Sequence, residues 1–182
     1  MTVANQIDQV LGKPMVFEFS KANAKNGLIR FLWLFFIVGK TKHFSKTSKA
    51  KKLLKKLQSD DFNMPGKFFA YIRKIDPLVF EELLLFAFEF RGYQVKRNKA
   101  YTGDGGCDGS VIIDGKTYAI QAKRYQKHIN PAHVKALNDY VLTHRLDGGI
   151  FIHTGKTGMG SYRNLKNTWL ISGSRLHKLL CA

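Results

Sequence analysis

Apolar residues recur with two different periods along this chain, and they predict its secondary structure most clearly after residue 75. Residues 78–90 are densely apolar and predict a buried helix, with Asp76 placed as its cap and Pro77 in its first turn. Two further helices are predicted at residues 131–145 and 174–180. Alternating or continuously apolar segments predict strands at residues 93–97, 108–113, 116–124, 150–153 and 169–172.

The order of these elements predicts the fold class. Asp114 and Gly115 form a strong two-residue hairpin signal, so the second and third strands should be antiparallel neighbours. The succession helix, three strands, helix, strand, short strand, helix predicts an α/β sandwich in which an antiparallel hairpin joins a mixed sheet.

Polar side chains cluster on this hairpin in a strand that is otherwise fit for burial. Because side chains alternate faces along a strand, Gln121 and Lys123 should share one face while Ile120 and Ala122 point into the core. Asp108 lies six residues before the Asp114–Gly115 turn and Gln121 six residues after it, so the register predicts that they are neighbours. A carboxylate, an amide and an ammonium group should therefore converge.

These three groups suit metal-assisted hydrolysis of a phosphodiester. Mg²⁺ prefers hard oxygen ligands, which Asp108 and Gln121 can supply, and it would lower the pKa of an attacking water. Lys123 could orient that water or offset the charge that develops. The spacing alone leaves an ordinary alternative open, since a surface strand often carries Gln and Lys on its wet side and Asp before Gly is common in turns.

The charge of the chain is strongly positive, at +17 with a sequence pI near 10, within a composition typical of a globular protein. Residues 1–75 hold fifteen basic and four acidic residues, so most of the excess lies there. Such a surface attracts nucleic acid or an anionic membrane. We divide the chain into a basic, mainly helical extension at residues 1–75 and a domain at residues 76–182.

Eight lysines lie between Lys40 and Lys56, within the basic region at residues 1–75. Leu53, Leu54 and Leu57 recur at helical spacing within it and predict a short cationic amphipathic helix over residues 48–59. Two interpretations are open: a solvated face on a helix packed by its leucines, or an arm that contacts DNA phosphates. The second would use Lys51, Lys52, Lys55 and Lys56.

An apolar segment between Leu28 and Val38 contains Arg30 and is shorter than the ~20 residues of a membrane-spanning helix. A buried or interfacial helix is favoured, and a peripheral membrane anchor is the alternative. Two cysteines cannot make a disulfide framework, which indicates a reducing compartment. We predict a cytoplasmic protein, with peripheral inner-membrane association as the less favoured alternative.

Four separated motifs, in order, resemble the catalytic domain of the Mrr-like restriction endonucleases, within the PD-(D/E)xK nuclease superfamily. They are FEELLLFAFEFRGYQV, TGDGGCDG, YAIQAKRY and GGIFIHTG. The resemblance covers residues 76–154 and implies a restriction-endonuclease-like α/β sandwich. Cys107 departs from the family pattern, where an aliphatic residue is usual, and residues 1–75 match nothing in that domain.

The resemblance assigns roles to particular residues. It implies that Asp108 is the metal-binding acid and that Gln121 and Lys123 are the Gln-x-Lys variant of the superfamily's (D/E)-x-Lys. The family also has an acidic site residue on the helix before the hairpin, called the helix acid below. The resemblance places it at Glu81, with Glu82 as a less favoured substitute. Glu81 precedes apolar residues at helical spacing, so an inward position is physically reasonable, and an exposed acid in the first turn is the alternative.

The implied activity is an Mg²⁺- or Mn²⁺-dependent endonuclease acting on double-stranded DNA, and a type IV-like restriction enzyme for modified DNA is one form of it. Arg124 and Lys127 would contact phosphates, although Arg124 faces away from Lys123 and could serve structure instead. Cutting both strands commonly needs two sites, which makes a homodimer plausible. The alternatives are a DNA-binding module without useful catalysis and a membrane-associated nucleic-acid-processing protein.

Overall fold

A five-stranded mixed sheet forms the centre of the computed structural model, which describes residues 3–15, 41–98, 106–163 and 165–181. The strands lie side by side in chain order, with the first three antiparallel and the third to fifth parallel. They are β1 (Gln94–Arg97), β2 (Gly109–Ile113), β3 (Lys116–Lys123), β4 (Gly148–His153) and β5 (Thr168–Ile171). The predicted α/β sandwich with its hairpin and mixed sheet is confirmed.

Helices cover both faces of this sheet. They are α1 (Val3–Gly12), α2 (Thr41–Leu57), α3 (Pro65–Ile72), α4 (Pro77–Glu89), α5 (Pro131–Thr143), α6 (Met159–Tyr162) and α7 (Gly173–Cys181), with a 3₁₀ turn at Asp60–Phe62. Asp76 caps α4 through a hydrogen bond from the Val79 amide, and Asn130 caps α5 in the same way from Ala132. The sequence analysis did not predict α1 or the four-residue α6.

The hairpin between β2 and β3 sets the register of the sheet. Asp114 and Gly115 have φ values of 50° and 75°, which are the left-handed conformations that a tight two-residue hairpin turn requires. Ile113 consequently pairs with Lys116, and Gly109 pairs with Ile120. The predicted turn is confirmed, and extending the register by one pair sets Asp108 opposite Gln121.

Both faces of β3 are buried, which corrects the expectation that only one of them meets the core. Ile120 and Ala122 belong to the larger hydrophobic cluster, on the side of α4. Ala119 belongs to a second cluster with Phe151 and the apolar side of α5. Parallel strands with helices on both sides of the sheet are buried in this way. The sequence of one strand does not show that a second layer of helices covers its other face.

The N-terminal helices share the larger cluster with the sheet. Leu53, Leu54 and Leu57 of α2 are buried together with Val10 and Leu11 of α1, in a cluster that includes the core of α4. The lysine-rich helix therefore packs by its leucines, and the described parts of residues 1–75 are mainly helical as predicted. The boundary after residue 75 stays a prediction.

The apolar segment between Leu28 and Val38 lies outside the described residues, so its predicted helix and its membrane alternative stay predictions. Within the ranges that the structure describes, no helix is long and apolar enough to cross a membrane.

Leu54→Ala is expected to lower the free energy of unfolding by about 2–4 kcal/mol, because Leu54 is fully buried in the shared cluster. Urea unfolding followed by circular dichroism measures the change. Lys52→Ala, on the exposed side of the same helix, is the matched control and should alter stability by less than about 0.5 kcal/mol. An unfolding midpoint that Leu54→Ala leaves unchanged would show that α2 is not part of this core.

Candidate active site

Asp108 lies at the point where β2 separates from β3. Its backbone amide donates a hydrogen bond to the Ile120 carbonyl at 2.8 Å, and its Oδ2 accepts one from the Ala122 amide at 2.6 Å. The Asp108 side chain thus accepts from a β3 amide that lies past the pair formed by Gly109, the first residue of β2, and Ile120. Burial raises the pKa of the Asp108 carboxyl to about 6, although the Ala122 amide and the Lys123 charge oppose the rise.

Gln121 is buried, with only 3% of its surface exposed, which excludes the alternative of a wet strand face. Its Nε2 donates a hydrogen bond to the Gly106 carbonyl. This contact fixes the orientation of the amide and turns Oε1 away, and Oε1 is buried without a hydrogen-bond partner among the described residues. A buried carbonyl oxygen in that state costs free energy unless a ligand satisfies it.

Gly106 is required for this arrangement. Its φ is +89°, and a Cβ at this position would lie 2.5 Å from Gln121 Nε2. The side-chain amide of Asn98 donates a hydrogen bond from Nδ2 to the Cys107 carbonyl, and the Cys107 thiol donates one to the Gly109 carbonyl at 3.0 Å. The described end of the glycine-rich loop is therefore held on both sides as it leads into Asp108.

Glu81 of α4 faces the same site as Asp108 and Lys123. Burial raises the pKa of the Glu81 carboxyl to about 7, the Asp108 charge adds to the rise, and the Lys123 charge opposes it. Glu82 is instead bound to Arg97, with Oε2 3.0 Å from Nε. The Glu82 carboxylate is thus held in an ion pair, and the assignment of Glu81 as the helix acid stays a prediction from the resemblance.

The other predicted DNA contacts fall into two groups. Arg124 donates from Nη1 to the Arg73 carbonyl at 2.9 Å, so it joins the end of β3 to the end of α3, which favours its structural alternative. The remaining side chains are exposed to solvent. They are Lys51, Lys52, Lys55 and Lys56 on α2, and Lys127 in the loop after β3.

Three residues near Lys123 were not predicted as part of the site. The Tyr125 hydroxyl and His133 Nδ1 form a hydrogen bond. Burial lowers the pKa of His133, and the Lys123 charge lowers it further, so this pair lies close to the ammonium group. His153 is the register partner of Lys123 and is fully buried, which lowers its pKa to about 4. Tyr125 and His153 lie within the motifs YAIQAKRY and GGIFIHTG, but neither motif predicts these contacts, because the fold brings the residues together from separate segments.

The donor set fits a hard divalent cation. Asp108 is the register neighbour of Gln121, whose buried amide oxygen has no hydrogen-bond partner among the described residues, and the Asp108 charge contributes to the raised pKa of Glu81. A cation would relieve the repulsion between the two carboxylates and satisfy the amide oxygen. The described residues hold no cluster of three or more His, Cys, Asp or Glu side chains that could bind a metal. The ligands would thus be mixed carboxylate and amide oxygens.

Comparison with known protein families agrees with this geometry. The family model for the Mrr catalytic domain, described as a restriction endonuclease, matches residues 72–180, which is more than half of the chain. The chain belongs to this family. The match includes all five strands and the whole candidate site, so these residues form an Mrr-type nuclease domain. Domains of this type generally use divalent metal ions. No curated protein and no solved structure matches the chain.

The double variant Glu81→Gln/Asp108→Asn is expected to gain stability relative to the metal-free wild type as the pH rises from about 4 to 7. Both folded pKa values are raised, so the folded wild type holds more protons than the unfolded chain in this window and loses stability as the pH rises. The difference in unfolding free energy should grow by about 1–2 kcal/mol after solvent screening.

Denaturant unfolding of both Mrr-type domains at several pH values measures this difference. Groups that the two proteins share, such as His153 with its lowered pKa, contribute equally and cancel. A difference that is the same at pH 4 and pH 7 would contradict the raised pKa values.

Gln121→Glu is expected to destabilise the protein by about 1–3 kcal/mol at pH 7, because a carboxylate cannot donate to the Gly106 carbonyl and would oppose it. The loss should shrink at pH 5, where a protonated carboxyl can donate again. Thermal unfolding measures both values, and Gln126→Glu in an exposed position is the matched control. The same loss at both pH values, or none, would show that the amide does not hold the loop.

Proposed function

We propose that this Mrr-type domain is an Mg²⁺- or Mn²⁺-dependent endonuclease that hydrolyses phosphodiester bonds of double-stranded DNA. The observation that carries the proposal is the buried Oε1 of Gln121, which has no hydrogen-bond partner within the described parts of the chain. Gln121 is the register partner of Asp108 and lies two residues before Lys123 on the same strand. Asp108, Gln121, Lys123 and Glu81 are the proposed catalytic residues, with Asp108 and Gln121 as metal ligands.

Each side chain has a distinct role in this proposal. Asp108 and Gln121 supply a charged and a neutral oxygen to the metal, which, when bound, polarises the phosphate and acidifies a water. Lys123 offsets negative charge on the phosphate as it develops, from a half-buried position where screening by water is reduced. Glu81, whose pKa lies near neutrality, can hold or release a proton near the reacting water.

The proposal extends to the biological setting of the reaction. Type IV-like restriction of modified DNA, cutting by a homodimer and a cytoplasmic location are its finer parts. Cys107 and Cys181 are both free thiols, which suits a reducing compartment. Gel filtration with and without a short duplex tests the dimer.

Lys123→Ala and Asp108→Asn are each expected to reduce cleavage of plasmid DNA at least about 100-fold, because each removes charge stabilisation in a partly desolvated site. Duplex binding should change only a few-fold. Lys116→Ala is the matched control, since it removes the same charge at the opposite end of β3.

The assay compares unmodified and methylated substrates with Mg²⁺ and with Mn²⁺. The enzyme proposal fails if the wild type cuts no substrate under any of these conditions. Duplex binding in the same samples would then identify a DNA-binding module without useful catalysis.

A further inference from the structure

Two loops cover the end of the sheet next to Lys123. One is residues 124–130, which follow β3, and the other is residues 154–163, which follow β4 and include α6. The Lys156 amide donates to the Lys127 carbonyl at 3.0 Å, and the Ile129 amide donates to the Lys156 carbonyl at 3.0 Å. Residues 124–130 and 154–163, called the loop pair below, therefore form one backbone-bonded surface.

The loop pair is held firmly at its base. Thr154 Oγ1 accepts a hydrogen bond from the Tyr125 amide and donates one to the Tyr125 carbonyl, both at 2.9 Å. A Cβ at Gly155 would lie 2.5 Å from the Lys127 carbonyl, so the two backbones approach as closely as glycine allows. The backbone of the loop pair is thus anchored at its base, next to the end of β3 that carries Lys123.

The charge of the loop pair has one sign. Lys127, Lys156 and Arg163 are exposed on it, and the sequence contains no Asp or Glu at residues 115–138 or 148–182. The opposite end of β3 is different, because acidic side chains at Asp114 and Asp147 lie there with Lys116. The positive surface therefore lies at the catalytic end of the strand.

Large apolar side chains accompany these cations. Met159 is 76% exposed and Tyr162 is 55% exposed, and both belong to α6 of the loop pair. Such side chains between cations complement a duplex, in which sugars and base edges lie between phosphates.

We propose that the loop pair is the surface that seats double-stranded DNA against Lys123, with Lys156 and Arg163 on phosphates and Met159 and Tyr162 on sugars or base edges within a groove. This inference rests on the proposed function, since DNA is the partner. It adds residues to which neither the sequence pattern nor the family match gives a role.

Duplex binding at several salt concentrations, without divalent cations, tests the charged half of the proposal. Lys156→Gln and Arg163→Gln should each lower the magnitude of the slope of log K against log salt by about 0.9, and the double variant should lower it by about 1.8. Lys116→Gln is the matched control and should leave the slope unchanged. Equal slopes in the loop variants and the wild type would overturn the assignment of phosphate contacts.

The apolar half has a different signature. Met159→Ala and Tyr162→Ala should weaken binding about fivefold to a hundredfold without changing the salt slope, because no phosphate contact is lost. Leu142→Ala and Met64→Ala remove other exposed apolar side chains and are the matched controls. Unchanged DNA affinity overturns the assignment, and a simultaneous change in oligomeric state would identify a protein partner instead.

Failure of this inference is distinguishable from failure of the proposed function. If the wild type binds duplex through the loop pair but never cuts it, the catalytic proposal fails and the DNA surface stands. If the wild type cuts DNA and the loop variants bind and cut normally, the surface assignment fails and the catalytic proposal stands.

Discussion

The hydrogen bond from the Ala122 amide to the Asp108 carboxylate is the contact on which the site depends. β2 begins only at Gly109, opposite Ile120, while β3 continues to Lys123, so the Ala122 amide has no partner within β2. A buried amide needs an acceptor, and the Asp108 side chain provides it. The same bond draws a carboxylate into the protein and sets it opposite Gln121. Structure and chemistry are thus joined in one residue.

The free-energy costs of the site are concentrated where the sheet is most firmly supported. A desolvated carboxylate at Asp108, a second at Glu81 and the Gln121 oxygen, which no described residue satisfies, all oppose folding of the metal-free protein. β3 tolerates them because hydrophobic clusters cover both of its faces and strands pair with both of its edges. A divalent cation would offset these costs, which couples metal binding to stability.

Local sequence patterns predicted those parts of the site that depend on near neighbours. The Asp114–Gly115 turn and strand alternation were enough to set Asp108 beside Gln121, because the hairpin encodes its own register. The assignment of Glu81 needed the family resemblance, since no local rule states which face of α4 meets the hairpin. Burial of the Gln121 face, the Tyr125–His133 bond and the packing of α1 and α2 depend on contacts between distant segments. A pattern read along the chain does not contain them.

Net charge alone does not indicate which cations of this protein would contact DNA, because several of them contact other parts of the protein. Lys46 binds the Asp76 cap of α4 at 2.6 Å, and Lys51 and Lys56 lie over the rings of Phe86 and Tyr71. Arg73 and Arg124 bind backbone carbonyls. The cations of the loop pair differ in lying on an acid-free surface at the end of β3 that carries Lys123. Position relative to Lys123, more than the count of basic residues, is therefore the basis for proposing which cations would face the substrate.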